Sequence, residues 1–327
     1  MYTTILWSPG GEHAERKVVM SRICEGLKKA EMERATIGSA AEAKAADPLA
    51  WQEGLSDEAA RQAAKIISVG GRSDASPAAG HLQLDELRRR CAKPVWKLDP
   101  ESIVFCSEQS LSPCAEQFRT LRSRLYGLRD ERQLRTLLVT STVPNEGKTF
   151  VTLNLGQAIA RQQERRVLLI DADLRASRLH VPLGAPSSPG LADFLRGEAD
   201  EYSIIQADAH NNLFFIPAGR PVSNPAELLS KMQLRQLLDR LGSAFDWVIL
   251  DAPPVLPVSD AGVLAGLCDG VLFVVRAGST AFDVAQMAYQ EFRGKNLVGI
   301  VLNHVEARVA AAYGAYPYYG GNGTGKR

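Results

Sequence analysis

The chain has few cysteines and no pair of them. Five are scattered over 327 residues (Cys24, Cys91, Cys106, Cys114 and Cys268), with no C-x-x-C spacing. That argues against a zinc site or a disulfide framework and sets the expectation of a reduced, cytosolic compartment. No apolar run approaches the ~18–20 residues that span a bilayer. The first residues, Met1 to Gly11, lack the basic start and apolar core of a signal peptide. The chain is therefore not expected to insert in a membrane by itself, and any attachment is expected to be peripheral, through a partner. Net charge is also missing: 38 Lys and Arg face 37 Asp and Glu, for +1 overall. No global field favours nucleic acid or an acidic partner. With 45% hydrophobic and 23% charged residues, the composition suits a soluble protein of one large α/β domain plus an accessory region.

What is present centres on Thr140-Ser141-Thr142-Val143-Pro144-Asn145-Glu146-Gly147-Lys148-Thr149. An apolar run, Leu137 to Val139, precedes it and reads as a buried strand. Val151 to Ala160 follows and reads as a helix. Strand, tight loop, Gly-Lys-Thr and helix make a phosphate-binding P-loop. Loop N–H groups cradle phosphate oxygens, and the helix N-terminus adds its positive end. Lys148 would reach the outer phosphates and the Thr149 hydroxyl would hold Mg²⁺. The match has one defect, Thr142 at the first glycine of G-x-x-x-x-G-K-[ST].

From Leu134 to Glu306 short apolar runs alternate with helical stretches. Strands are expected at Leu137–Thr140, Val167–Asp171, Leu213–Pro217, Trp247–Asp251, Val271–Val275 and Val298–Leu302. Helices are expected at Lys148–Gln162, Gly190–Gly197, Pro225–Leu241, Asp260–Cys268 and Ala281–Arg293, and earlier at Cys114–Tyr126. The pattern is that of an α/β P-loop NTPase, a mostly parallel sheet covered by helices on both faces. Ligands in such sheets bind at the carboxyl ends of the strands. Two strands end in acid there, one at Asp171-Ala172-Asp173 and one at Asp251. A single strand-end Asp reads as a helix cap; two of them with Gly-Lys-Thr read as a nucleotide site, with the acid holding or orienting Mg²⁺.

The flanks differ. Residues 1–19 fit nothing that follows, whereas helical spacing begins at Met20, so 1–19 reads as a non-native upstream extension. Residues 20–110 read as an N-terminal helix plus flexible linker region. Residues 307–327 form a tail in which Tyr313, Tyr316, Tyr318 and Tyr319, half of the eight tyrosines, lie among Gly and Ala. It is either a sticky aromatic tail or an exposed phosphoryl acceptor.

These residues resemble the bacterial tyrosine kinases (BY-kinases), in particular the cytoplasmic CpsD/CapB-type exopolysaccharide autokinases, from about Leu111 to the C-terminus. Thr140–Thr149 is similar to that family's Walker A, Leu168 to Arg175 to its Walker A′, and Val248 to Pro254 to its Walker B. Glu116-x-x-Arg119-x-x-Arg122 is similar to its oligomerisation motif, although three charges on one helix face also suit plain solvated surface. Ser223-Asn224-Pro225-Ala226-Glu227-Leu228-Leu229 and the tyrosine cluster also agree. The MinD/ParA ATPases are the near relatives, but their early P-loop lysine is replaced by Val143. Asn145 and Ala176-Ser177 depart from the kinase pattern.

The resemblance implies a MinD/ParA-like fold and ATP-dependent protein-tyrosine autokinase activity controlling capsular or exopolysaccharide polymerisation and export. It implies Lys148, Asp171, Asp173 and Asp251 as catalytic residues. Asn145, Glu146, Gly147, Lys148, Thr149, Phe150 and Asn303 would bind ATP, with Asn303 touching adenine or merely ending its strand. Thr149, Asp171 and Asp251 would hold Mg²⁺. The implied partners are a membrane copolymerase or activator on a separate chain, other copies of the chain in a ring, and a cognate tyrosine phosphatase, without nucleic acid. The implied location is cytoplasmic, at the inner face of the plasma membrane. A MinD/ParA-like ATPase switch and a nucleotide-binding scaffold without kinase activity are the alternatives.

Overall fold

A computed structural model of the chain describes residues 2–6, 84–105, 112–208, 212–292 and 295–305. The tyrosine cluster and the helix expected after Met20 lie outside the described residues. Among the described residues are eight strands: β1 (Tyr2–Leu6), β2 (Thr136–Ser141), β3 (Val167–Asp171), β4 (Gln206–Ala207), β5 (Leu213–Ile216), β6 (Trp247–Asp251), β7 (Gly270–Arg276) and β8 (Leu297–Val305). They form one sheet in the order β1-β8-β7-β2-β6-β3-β5-β4. The interior pairs are parallel, and β1 and β4 close the two edges antiparallel. Tyr2–Leu6, within the stretch read as an extension, form an edge strand that pairs with β8.

The helices are α1 (Leu84–Arg90), α2 (Pro113–Glu131), α3 (Lys148–Ala160), α4 (His180–Leu183), α5 (Leu191–Leu195), α6 (Pro225–Leu229), α7 (Met232–Ala244), α8 (Asp260–Ala265) and α9 (Phe282–Gln290). They cover both faces, because successive strand residues point to opposite sides. Leu138, Ile170, Leu250 and Phe273 join a core with α5 to α9. Leu137, Val139, Leu169, Ile249 and Leu272 join a second core with α2 and α3. Both-sided burial is why these strands read as continuous apolar runs. Helix α3 is buried at every residue from Val151 to Ala160, between the sheet and α2, with Thr152, Asn154 and Gln157 as its buried polar side chains. Ser112 starts α2 by accepting the Ala115 N–H at 3.1 Å, with Pro113 in the first turn.

Two expectations are corrected. The helix expected over Pro225–Leu241 is two helices. Lys231 is extended (ψ 142°), and its Nζ donates to the Leu195 carbonyl at the end of α5, 2.9 Å away. A tertiary bond interrupts a sequence that is helical throughout by pattern. The region 20–110, read as helix and flexible linker, is in part packed on the domain. Ala92 bridges Gln206 in β4, the Trp96 ring meets Phe215 edge-on at 6.3 Å, and Ile103 and Phe105 are buried in the second core. Buried Asn154 on α3 fastens this strap: Oδ1 accepts the Val104 N–H at 2.8 Å, and Nδ2 donates to the Ser102 carbonyl at 2.9 Å. Asn154→Ala strands both backbone groups and is expected to cost about 2–3 kcal/mol, read from urea unfolding.

Candidate active site

The loop after β2 carries its own support. Asn145 has φ 66° and Gly147 φ 94°. Asparagine is among the residues that tolerate that left-handed region, so position 145 accepts the loop geometry. At Gly147 a side chain has no room: an added Cβ would lie 2.0 Å from Asn303 Nδ2. Thr142, at the usual first glycine, is fully buried. Glu146 is buried too. Its carboxylate accepts the Val143 N–H at 2.9 Å, the Arg276 N–H at 3.2 Å and the Thr280 hydroxyl. Burial pushes its pKa up, against those donors. Asn303 Nδ2 donates to the Glu146 carbonyl at 2.9 Å. The loop is thereby fastened to the ends of β7 and β8, and the Asn303 amide nitrogen is engaged on the loop.

Acids from two neighbouring strands meet below it. β3 and β6 pair in register with Asp171 opposite Asp251, which brings their carboxyl ends together. Lys148 Nζ donates to Asp173 Oδ2 at 2.8 Å and lies 3.9 Å from Asp251 Oδ2. The Thr149 hydroxyl donates to Asp251 Oδ2 at 2.6 Å. Asp171 is completely buried. It accepts the Ser177 hydroxyl at 2.8 Å and the Leu179 N–H at 3.1 Å on Oδ2, and the Asp173 N–H at 3.3 Å on Oδ1.

Crowded carboxylates in a dry site resist ionisation. Burial first, then the Asp251 charge, pushes Asp171 up to about 7. Burial likewise raises Asp251, with Lys148 and the Thr149 hydroxyl pulling it down. For Lys148 burial pulls downward, but Asp251 and Asp173 outweigh it and the net shift is upward.

The structure brings together all four residues expected to be catalytic. It adds Thr152, whose hydroxyl lies 3.4 Å from Asp251 Oδ1 and which stands one helical turn after Thr149, the spacing by which sequence alone could find it. It also adds Ser177, from the segment after β3, and Arg276 and Thr280, from the end of β7 and the turn after it, which reach the site only through the tertiary fold. The Phe150 ring packs on Phe118 at 5.8 Å, so position 150 offers the site its backbone. In the expected oligomerisation motif, Arg119 pairs with Glu116 at 2.9 Å on the surface. Arg122 turns inward, donating to the Ala158 carbonyl at 2.6 Å. A cavity of about 330 Å³ beside Asn224 and Glu227 shares no residue with the Lys148 cluster.

The donors suit a nucleotide and Mg²⁺. The Thr149 hydroxyl and the carboxylates of Asp251 and Asp171 are hard oxygen ligands, the kind Mg²⁺ takes. Among the described residues no group of three or more His, Cys, Asp or Glu is arranged as a metal cage. Mg²⁺ needs none when one or two carboxylates act with substrate phosphates. At Gly147 the missing side chain makes room for the Asn303 amide that braces the loop.

Comparison with known proteins agrees. The AAA domain family matches residues 145–290. The chain is 33% identical over 220 residues to tyrosine-protein kinase YwqD of Bacillus subtilis, covering 67% of this chain and 90% of that protein. The chain belongs to the bacterial tyrosine kinase family. A second tyrosine kinase, Etk of Escherichia coli, is 38% identical over 200 residues, which cover 61% of this chain but only 27% of Etk. The solved kinase domain of Etk has a TM-score of 0.56 at 34% identity, covering 60% of this chain and 77% of that one. The chimerical protein CapA2B2 has a TM-score of 0.59 at 26% identity, covering 68% and 99%. The tyrosine kinase fold thus occupies the described domain.

The Asp171 shift gives this domain a pH signature. With a folded value of about 7 against an ordinary 3.8, the folded state keeps a proton that the unfolded chain has already released. Stability from this group is present at low pH and is lost as pH rises through that window. In chelator without nucleotide, the melting temperature of the wild type minus that of Asp171→Asn should fall from about pH 4 to about pH 7 and then level off.

Proposed function

We propose that this chain is an ATP-dependent protein-tyrosine autokinase that transfers the γ-phosphoryl group of ATP to tyrosines of its own C-terminal tail. The observation that carries this reading is the junction of Lys148, Thr149, Asp173 and Asp251 at the phosphate loop, in a chain that spans 90% of a tyrosine kinase. Lys148 leaves Asp173 to neutralise the outer phosphates as they enter. Thr149 and Asp251, with Asp171 beside them, present the oxygens for Mg²⁺, which when bound offsets charge on the phosphates. A tyrosine hydroxyl has a pKa of about 10 and is a weak nucleophile at neutral pH. Asp171 or Asp173 takes its proton as the tyrosyl oxygen bonds to the γ-phosphorus and the bond to the β-phosphate oxygen breaks, leaving ADP. Most of the rate comes from positioning and charge neutralisation.

Tyr313, Tyr316, Tyr318 and Tyr319 are the proposed acceptors. A tail of ~20 residues extends at most ~70 Å, enough for a neighbour's site. Exposed Glu116 and half-buried Arg119 on α2 form the proposed contact between copies in a ring, with transfer in trans. Arg122, tied to its own α3, supports that surface from inside. Among the described residues no helix is long and apolar enough to cross a membrane. The proposed partners are a membrane copolymerase or activator on a separate chain and a cognate tyrosine phosphatase. The proposed setting is the inner face of the plasma membrane, in control of capsule or exopolysaccharide export.

Incubation with labelled ATP and Mg²⁺, with and without the activator fragment, followed by phosphotyrosine mapping, tests this. Label on Tyr313 to Tyr319 is expected, and Lys148→Met should lower it by about a hundredfold or more. Free phosphate with no protein label would make the chain an ATPase switch instead. Nucleotide retained with neither product would make it a scaffold. Lys148→Met chains mixed with active enzyme should become labelled on their own tails; unlabelled ones would rule out transfer in trans.

A further inference from the structure

Arg175 lies two residues beyond Asp173, and the kinase chemistry above leaves it without a task. Its guanidinium forks onto Asp260, the first residue of α8: Nε donates to Oδ2 at 2.8 Å and a terminal nitrogen to Oδ1 at 3.1 Å. Asp260 is fully buried, while Arg175 is 40% exposed. A bidentate pair of this kind fixes orientation as well as distance.

The pair joins two loops that each leave a strand bearing a site acid. β6 runs through residues 252–259 to Asp260. That loop is already fastened to the phosphate loop. The Thr140 hydroxyl donates to the Pro253 carbonyl at 2.7 Å, and the Val255 and Leu256 N–H groups donate to the Ser141 and Thr142 carbonyls at 2.8 and 3.3 Å. β3 runs into residues 172–179, whose tie at its start is the Ala172 N–H on the Asp251 carbonyl at 2.8 Å. Within it the Ala176 N–H donates to Asp173 Oδ1 at 3.0 Å, while Asp173 Oδ2 receives Lys148. A continuous linkage therefore runs from α8 through Asp260, Arg175 and the adjoining Ala176 N–H to Asp173 and Lys148.

We propose that Arg175 and Asp260 are positioning residues that hold the Asp173 carboxylate against Lys148. They touch neither reactant. They set where the Asp173 loop stands relative to the phosphate loop. The part of this that concerns turnover rests on the kinase reading; the part that concerns Lys148 in the nucleotide-free protein does not.

The test uses the full chain with Arg175→Lys and the double variant Arg175→Gln/Asp260→Asn, which keeps two polar partners but leaves no unpaired buried charge. In nucleotide-free protein an amine-acylating reagent is followed at each lysine by mass spectrometry. Lys148 should label severalfold faster in the double variant, with other lysines unchanged, and at an intermediate rate in Arg175→Lys. Turnover, counted as ADP formed whether the acceptor is tyrosine or water, should fall about tenfold to a hundredfold in kcat, as small misplacements do. The Kd of a fluorescent ATP analogue should change far less. Unchanged Lys148 labelling in the folded double variant overturns the proposal. So does a uniform rise at every lysine, which marks a general structural staple. A wild type that forms no ADP fails the kinase reading, while the labelling result still decides this one.

Discussion

A lysine ammonium held between two carboxylates in a nearly dry site is the constraint on which this structure turns. Lys148 reaches Asp173 at 2.8 Å and Asp251 at 3.9 Å, with Asp171 buried beside them. Without that cation, three acids at the ends of adjacent strands would repel one another where water cannot screen them. The ion pair makes the bare site tolerable, and in the proposed reaction it is the contact that entering phosphates displace. In that proposal binding energy is spent on exchanging one set of charges for another, so that the lysine meets the outer phosphates only when they arrive.

The support around that lysine is distributed over the sheet. Glu146 ties the loop to β7 and its following turn, Asn303 ties it to β8, and the 252–256 segment ties it to β6. Each tie uses a buried polar group that is costly to strand. A loop with a threonine at the usual first glycine keeps its shape because neighbouring strand ends hold it. The left-handed turn at Asn145 is the local part of the same solution.

The parallel sheet and the four charged residues of the centre were legible in the chain. Buried parallel strands advertise themselves as apolar runs, and Val167–Asp171 and Trp247–Asp251 have the expected ends because each closes on a carboxylate. The helix break at Lys231 and the strap at residues 92–105 were not legible. Both depend on partners distant in sequence, Leu195 for one and Asn154 for the other. Two-residue β4 is too short to show a period. Arg122 illustrates the same limit: its spacing matched a surface motif, and its partner is a carbonyl on α3.

By itself the sequence determined the fold class, the phosphate loop, its lysine and the acids at two strand ends, because period, apolar runs and Gly-Lys-Thr are local properties of a chain. The tertiary structure alone decided which acid the lysine meets, that Glu146 and Asn303 brace the loop, and that Arg175 finds Asp260. Those contacts join residues 25 to 157 positions apart, and only the strand order β2-β6-β3, with β7 and β8 on the other side, brings such distant residues within hydrogen-bond reach.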